Sequence, residues 1–326
     1  MVNCPLMHIV FIPGPPWGHL SPGMKTALRL VEKFQDLFIT LFVYRTELGK
    51  ATKYLSAQPS AYTRRIRVVS DSTEGPSVSS GQVVEMITSL EVAFGTWITN
   101  ESRLIIEDLF TGGVSLTCKN VHNLPVVGWW LMPAGSLVAF LKMMNISQEE
   151  ILSANSSTRG AQSSSSLTKA SQVDSQDVHD QLVSIPGIPL YYEWEFFTQD
   201  VLGVQSLSAS ISARWKNMLT YIDTIFCCTT FEMEPIVAAA LPNAFGKALR
   251  TFYVGPSVDL APPHQPDPIS PITQFLDRAY TDNGAHSVIY VAFGTLYFPL
   301  PRSMSHLMAA LDEIPKAGFR FIFALS

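Results

Sequence analysis

The sequence is poor in cysteine, and its few cysteines are not spaced for a disulfide framework or a metal site. The four cysteines, Cys4, Cys118, Cys227 and Cys228, form no C-x-x-C pair, and the seven histidines show no metal-ligand spacing. We therefore expect no bound metal. Adjacent Cys227 and Cys228 belong to an apolar strand pattern and are interpreted as small buried residues. This usage fits a reducing compartment, so we expect a cytoplasmic protein.

Charge is also scarce in this chain. Charged residues make up 15% of the 326 residues, the net charge is -5, and no basic stripe is visible. This pattern argues against nucleic acid as a partner. No basic region precedes an apolar run at the N-terminus, so a signal peptide is not predicted.

One apolar run, residues 126–144, has the length of a membrane span. The segment Met132-Pro133-Ala134-Gly135-Ser136 divides this run near its middle. That division predicts a short buried strand, a turn and a helix with Ser136 at its start. We therefore predict no membrane span.

What the sequence does contain is a regular alternation of strand-length apolar runs with helical patterns. Strands are predicted at His8–Pro13 and at residues 37–44, 65–70, 103–110, 124–130, 224–231 and 250–254. The run at 37–44 is apolar on both sides, as a covered parallel sheet requires. The alternation predicts an α/β fold, a Rossmann-like doubly wound parallel sheet.

Composition divides the chain into parts. Residues 147–180 are rich in Ser, Gln and Asn and are interpreted as a mobile insertion in a first domain of residues 1–254. A proline-dense linker is predicted at 255–271. Residues 272–326 then begin a second α/β domain, which we expect to be incomplete. Its two strands are apolar on both faces, and so short a segment cannot cover them.

One histidine stands where the first strand gives way to the first helix. The stretch HIVFIPGPPWGHLSP, residues 8–22, predicts a strand that breaks on Gly14-Pro15-Pro16 and a helix that starts at Ser21-Pro22. His19 then lies on the turn, at the edge where α/β sheets bind ligands. The turn lacks the G-x-G-x-x-G spacing of dinucleotide sites. His19 is a candidate general base, and the alternative is a ring that caps the helix or packs beside it.

A histidine base needs an acidic partner that orients it. Asp108 ends the predicted strand RLIIED and reaches the same sheet edge as His19 if the two strands are parallel. Its neighbour Glu107 is the rival, and strand alternation sends the two carboxylates to opposite faces, so only one can serve. The alternative for Asp108 is a helix-capping role.

Two further groups of residues are candidates for ligand contacts. The turn Phe293-Gly294-Thr295 follows a predicted strand, where Gly294 permits close approach and the Thr295 hydroxyl can bond a phosphate oxygen. Trp129, Trp130 and Met132 follow a strand end and could line an apolar acceptor pocket, or they could belong to the core.

Six motifs, in chain order, resemble those of the family 1 UDP-glycosyltransferases, the two-domain GT-B enzymes that glycosylate small molecules. They are HIVFIPGPPWGHLSP with its GH-x-x-P turn, IIEDLF, IPGIP, TTFEMEP, FYVGP and SVIYVAFGT. The Ser-rich insertion and the stretch GGVSLTCK indicate a fungal rather than a plant branch.

The resemblance implies inverting transfer of a sugar from a UDP-sugar to a hydroxyl of a small lipophilic acceptor. His19 would take the hydroxyl proton and Asp108 would hold His19. The UDP-sugar is then a co-substrate, and the resemblance implies no cofactor, metal or covalent intermediate.

By resemblance, Gly294 and Thr295 would contact the donor phosphates. The predicted acceptor-binding residues are Trp17 and Gly18, which stand just before His19, together with the candidates Trp129, Trp130 and Met132.

The chain departs from the family on the donor side. The family's HCGWNS-like donor box is not found in the 326 residues, nor are its uridine-stacking tryptophan and sugar-contacting acidic residue. We therefore expect a chain truncated in the donor domain that binds UDP-sugar weakly or not at all. The alternative is a catalytically silent acceptor-binding remnant, and a nicotinamide-dependent dehydrogenase ranks third because its phosphate fingerprint is missing.

Overall fold

The computed structural model describes most of the chain and divides it into two compact units. The described residues are 7–15, 17–70, 83–98, 104–109, 111–115, 123–143, 182–192, 195, 214–245, 248–257, 267–293 and 301–324. The units span Met1–Leu260 and Ala261–Ser326. The predicted insertion at 147–180 lies outside the described residues, so its mobility stays a prediction.

A parallel sheet of seven strands forms the centre of the first unit. The strands of this unit are β1 Met7–Ile12, β2 Leu37–Val43, β3 Ile66–Ser70, β4 Leu104–Asp108, β5 Val126–Trp130, β6 Leu182–Ile185, β7 Ile188–Tyr192, β8 Thr224–Cys227 and β9 Arg250–Tyr253. The sheet order is β3-β2-β1-β4-β5-β8-β9, while β6 and β7 form a separate antiparallel hairpin. The predicted doubly wound α/β fold is confirmed, with the change of strand order between β1 and β4.

Helices cover both faces of this sheet. In chain order they are α1 Trp17–Lys33, α2 Arg45–Ser56, α3 Ser60–Thr63, α4 Val83–Trp97, α5 Ala134–Met143, α6 with described residues 214–221, and α7 Pro235–Ala244. One core cluster joins α1 and α2 to strand residues such as Phe11 and Ile106. The other joins α4, α5, α6 and α7 to the alternate residues, such as Val10 and Ile105. Neighbouring residues of each strand therefore point to different helical layers.

The first helix begins earlier than its sequence predicts. It starts at Trp17, so His19 lies in its first turn, and Pro22 is inside it. The predicted start at Ser21-Pro22 is wrong because Leu20, in the extra turn before it, is 1% exposed and packs in the core, which outweighs the local preference of proline. The helix also approaches β1 closely, since a Cβ on Gly23 would lie 3.2 Å from the Pro13 Cβ atom.

The apolar run at 126–144 folds as a strand, a turn and a helix, as predicted, but Ser136 does not start the helix because it lies inside the first helical turn. Strand β5 ends at Trp130 and α5 begins at Ala134. Among the described residues, no helix has the length and apolar character needed to cross a membrane.

The described residues of the second unit, 267–293 and 301–324, form two helices and two strands. They are α8 Pro271–Asn283, β10 Val288–Ala292, α9 Pro301–Lys316 and β11 Arg320–Ala324. The two strands pair in parallel, with Val288 opposite Arg320. Helix α8 is followed by Gly284 at its C-cap, whose positive φ of 79° suits glycine.

Candidate active site

The structure brings His19 and Asp108 into direct contact, although 89 residues separate them in sequence. The His19 Nδ1 atom lies 2.8 Å from the Asp108 Oδ2 atom. The Asp108 side chain is 3% exposed, whereas the His19 side chain is 24% exposed. The pair thus has a buried carboxylate behind a ring that solvent reaches.

Sheet topology explains why these two residues meet. Strands β1 and β4 are parallel neighbours, with Ile12 opposite Glu107 in the register. Asp108 is therefore one step further along, beside the segment that leads from β1 into α1. This is the carboxyl edge of the sheet at its change of strand order, where open α/β sheets bind ligands.

Gly14 supports the pair in two ways. Its backbone N–H donates to Asp108 Oδ2 at 3.1 Å. A Cβ on Gly14 would lie 3.0 Å from His19 Cβ, Cγ and Nδ1, so a larger residue would displace the ring. The break of the first strand on glycine is visible in the sequence, but its backbone donor to Asp108 is not.

Burial and the Asp108 carboxylate shift the pKa of the His19 ring in opposite directions. Burial of the ring lowers its pKa, while the charge of Asp108 and the hydrogen bond to it raise the pKa more. The His19 pKa consequently stands above its ordinary value of 6.5. Because an ionised carboxylate can only accept a hydrogen bond, Nδ1–H is the donor to Asp108 Oδ2, and the lone pair of the neutral ring is on Nε2.

Glu107 points to the other face of the sheet, as strand alternation predicts. Its carboxylate is fully buried and accepts hydrogen bonds from the backbone N–H groups of Val114 and Ser115, at 2.8 and 3.1 Å. The Ser115 hydroxyl donates to it as well. Burial raises the Glu107 pKa, and these hydrogen bonds lower it in part. Of the two rival carboxylates, Asp108 is the one that contacts His19.

The two predicted pocket tryptophans belong to the hydrophobic core instead. Trp129 is 0% exposed and packs edge-on against Phe11, with ring centroids 5.0 Å apart. Trp130 is 2% exposed, and its Nε1–H donates to the Pro133 carbonyl oxygen at 3.1 Å. Their assignment to the acceptor site is wrong because β5 is buried on both faces.

The remaining predicted contact residues differ in accessibility. Met132 is 40% exposed, Gly18 is exposed, and Trp17 is partly buried beside the Tyr54 ring. These three residues are therefore open to a ligand, and their role stays a prediction. Gly294 and Thr295 lie outside the described residues, so their donor role also stays a prediction.

Of the two cysteines predicted to be small buried residues, Cys227 is buried and Cys228 is only partly buried. Burial raises the pKa of Cys228 to about 12, with smaller contributions from Asp108 and Cys227.

Within the described residues, no group of three or more His, Cys, Asp or Glu side chains is arranged to hold a metal ion.

Comparison with known proteins gives one relative in sequence, and no family model matches the chain. The UDP-glycosyltransferase eriJ of the fungus Hericium erinaceus is 22% identical over 345 residues. The alignment covers 98% of this chain and 66% of that protein. The chain therefore spans slightly less than two thirds of the relative's length.

Solved structures of plant enzymes have the same fold. The Medicago truncatula enzyme UGT71G1 complexed with UDP-glucose superposes with a TM-score of 0.67 at 18% identity, covering 98% of this chain and 66% of that one. The Phytolacca americana enzyme UGT2 complexed with UDP-2fluoro-glucose and pterostilbene gives a TM-score of 0.65 at 16% identity. That match covers 100% of this chain and 72% of that one.

These comparisons agree with the six motifs and with the topology of the sheet. The resemblance to the family 1 UDP-glycosyltransferases is confirmed, by a fungal relative in sequence and by plant enzymes in their GT-B fold.

Proposed function

We propose that the protein transfers a sugar from a UDP-sugar to a hydroxyl group of a small lipophilic acceptor, with His19 as the general base. The observation that carries this proposal is the 2.8 Å contact between His19 Nδ1 and Asp108 Oδ2 at the carboxyl edge of the sheet. A protein that only binds an acceptor requires no such oriented imidazole. The contact therefore favours an enzyme over a silent acceptor-binding remnant.

In the proposed reaction, His19 Nε2 accepts the proton of the acceptor hydroxyl as its oxygen attacks the anomeric carbon. The bond between that carbon and the phosphate oxygen breaks on the opposite side, so the configuration inverts and UDP leaves with the bonding electrons. The charge of Asp108 stabilises the imidazolium that forms. Phosphate-contacting N–H and hydroxyl groups must stabilise the charge on UDP, a role assigned to the turn at Gly294 and Thr295.

We further propose that this step needs no metal, cofactor or covalent intermediate. The imidazole removes the hydroxyl proton, the acceptor oxygen forms the new bond to the anomeric carbon, and UDP leaves with the electrons of the bond that breaks. The direct displacement is therefore balanced without a further reactant. UDP-sugar enters as a co-substrate.

The proposed acceptor is a small lipophilic alcohol or phenol. Trp17 lies in the same first turn of α1 as His19 and is partly exposed, and Met132, which follows β5, is 40% exposed. Apolar side chains are therefore accessible at this end of the sheet. The Phytolacca americana enzyme, whose structure contains pterostilbene, is a related protein that binds a molecule of this class.

A transfer assay tests the proposal. UDP-glucose is incubated with a panel of phenols and aliphatic alcohols, and glucosides are detected by mass spectrometry. The assay uses the 326-residue chain and, if the transcript continues in frame past Ser326, the longer product. We expect a glucoside from the longer product and little or none from the 326-residue chain, in which the donor box is not found. In the longer product, His19→Ala should lower glucoside formation by about 10²–10⁴-fold while the circular dichroism spectrum is retained.

The matched control is His306→Ala, which removes an exposed histidine of the second unit. Transfer by this control should equal that of the unaltered protein. Acceptor binding without transfer in both protein forms would support the silent remnant. Transfer that survives His19→Ala would remove His19 from the mechanism.

A further inference from the structure

A second buried carboxylate stands beside the catalytic candidate and is not used in the proposed reaction. Glu107 is adjacent to Asp108 in β4 but faces the opposite helical layer, where it is 0% exposed. Its neighbours are hydrogen-bond donors from the segment that follows β4, which we call the brace loop and define as residues 111–115. Donors alone around a carboxylate suit its ionised form.

The brace loop is attached to both carboxylate residues of β4. Val114 and Ser115 donate to the Glu107 carboxylate. The Thr111 hydroxyl donates to the Asp108 carbonyl oxygen at 2.8 Å and lies 3.3 Å from Glu107 Oε1. The Thr111 backbone N–H also donates to the Asp108 carbonyl oxygen, at 3.0 Å. One end of the loop thus holds the Asp108 backbone while the other is held by Glu107.

Two glycines and an arginine maintain the shape of the loop. Gly113 has a positive φ of 96°, which L side chains rarely adopt. A Cβ on Gly112 would lie 3.0 Å from the Leu109 carbonyl oxygen and 3.1 Å from the Arg214 carbonyl oxygen. Arg214 Nε donates to the Thr111 carbonyl oxygen at 3.1 Å, so α6 fixes the loop from outside. This close packing gives the loop little freedom to shift.

Charged and titratable groups near Glu107 come from three elements. Tyr221 of α6 lies 3.5 Å from the Ser115 hydroxyl, and Arg214 of α6 pairs with Glu91 of α4 at 3.1 Å. Asp108 of β4 lies on the opposite face of the sheet and contacts His19. The donors of the brace loop, rather than a cation in hydrogen-bond contact, hold the Glu107 carboxylate.

We infer that Glu107 is a positioning residue, whose buried carboxylate holds the brace loop and, through it, fixes the Asp108 backbone so that its side chain stays against His19. This inference rests on the proposed role of the His19 and Asp108 pair. It gives a function to the GGVS sequence, residues 112–115, which the sugar-transfer mechanism leaves without a role.

The test follows His19 by nuclear magnetic resonance in the 326-residue chain and needs no enzymatic activity. The chain has seven histidines, and the signal that is missing from the spectrum of His19→Gln identifies the one that belongs to His19. The key variant is Thr111→Val. It removes the Thr111 hydroxyl that donates to the Asp108 carbonyl oxygen, but it keeps the charge of Glu107 and the shape of the side chain at 111. We expect the His19 pKa to fall and the Nδ1–H resonance to weaken, because a loosened Asp108 stabilises the imidazolium less.

Glu107→Gln is the second variant and should lower the His19 pKa in the same direction. Its matched control is Glu234→Gln, because Glu234 also accepts two backbone N–H groups but lies in a different loop. The control should leave the His19 titration unchanged. Should Glu107→Gln fail to fold, Thr111→Val decides the test alone.

A Thr111→Val protein that folds with an unaltered His19 titration would overturn the inference, as would an equal shift in Glu234→Gln. A shift in Glu107→Gln alone would mean that charge acts through space, which also overturns it. The proposed function fails separately: transfer that is absent, or independent of His19, leaves the pKa comparison intact. Where transfer occurs, Thr111→Val should lower kcat with little change in KM.

Discussion

At the scale of single residues, two opposing effects set the protonation of His19. Burial favours the neutral ring, and the Asp108 carboxylate favours the imidazolium by more, so the His19 pKa lies above 6.5. The neutral ring can take a proton from a hydroxyl group. The cation formed by that transfer is the species that Asp108 stabilises.

Removing the charge of Asp108 should reverse this balance. In Asp108→Asn the burial of the ring remains while the opposing charge is lost, so the His19 pKa should fall below 6.5. A titration followed by nuclear magnetic resonance measures it. Asp282→Asn, which removes a carboxylate paired with Arg320 in the second unit, is the control and should leave His19 unchanged. A His19 pKa that stays above 6.5 in Asp108→Asn would contradict the assignment of its cause.

Gly14→Ala should disturb the pair without unfolding the protein. The new Cβ would lie 3.0 Å from three atoms of His19, and a side chain can move where a backbone cannot. We expect a lower His19 pKa and slower transfer with little loss of stability. Gly49→Ala is the matched control, since no atom lies within 4 Å of its added Cβ and the helix should gain up to about 1 kcal/mol. Identical His19 titrations in both variants would show that Gly14 does not set the ring position.

Sequence reasoning succeeded at residues whose position follows from strand ends and failed where burial decides. His19 follows β1, and Asp108 is the last residue of β4. Because β1 and β4 are parallel neighbours in the sheet, their carboxyl ends lie side by side. Trp129 and Trp130 also stand at a strand end, but β5 is buried on both faces. A strand that is apolar on both sides carries no pattern that separates core from pocket.

At the scale of elements, one carboxylate connects two helices of the first unit. Glu234 precedes α7 but does not cap it; its carboxylate accepts from the backbone N–H groups of Ala134 and Gly135, at 2.8 and 2.9 Å. Those groups belong to the first turn of α5, where a negative charge is favourable. The TTFEMEP motif therefore has a structural use, namely fixing the start of α5.

Loss of this cap should destabilise the first unit. Glu234→Gln removes the charge and one of the two acceptor oxygens, so the free energy of unfolding should fall by about 1–2 kcal/mol. Urea denaturation measures it. Glu232→Gln, at an exposed position two residues earlier, should change it by less than about 0.5 kcal/mol. Equal midpoints for the two variants would show that the cap adds nothing to stability.

Most helices and strands were predictable from periodicity, but the start of α1 was not. Ser21 followed by Pro22 has the composition of a helix start, and the structure begins the helix at Trp17 instead. The reason is tertiary: Leu20 is 1% exposed and belongs to the core beneath α1. Packing of that first turn outweighs the local preference of proline.

At the scale of the whole molecule, alternation of strands and helices was sufficient to predict the doubly wound sheet, and the plant structures have the same fold. The strand order itself could not be read from periodicity, because a buried parallel strand does not encode its neighbours. Composition predicted a division of the chain at residues 255–271. The boundary between units 1–260 and 261–326 depends on which residues contact each other in the folded protein.

The donor side gives a prediction for the 326-residue chain. Because the family's donor box is not found in this sequence, the chain alone should bind UDP-glucose with a Kd no tighter than about 1 mM. Isothermal titration calorimetry measures this binding. A matched titration with UDP on the same sample shows whether the nucleotide alone is recognised. A micromolar Kd for UDP-glucose would contradict the prediction.

The central claim is that His19, poised by Asp108, removes the acceptor proton, and the pH dependence of kcat/KM for glucose transfer tests it most directly. A base acts only when it is unprotonated, so kcat/KM should rise with pH through the His19 pKa measured by nuclear magnetic resonance. That rise should move to lower pH in Asp108→Asn. A rate that does not change across the His19 titration, or one that follows a different group, would contradict the account.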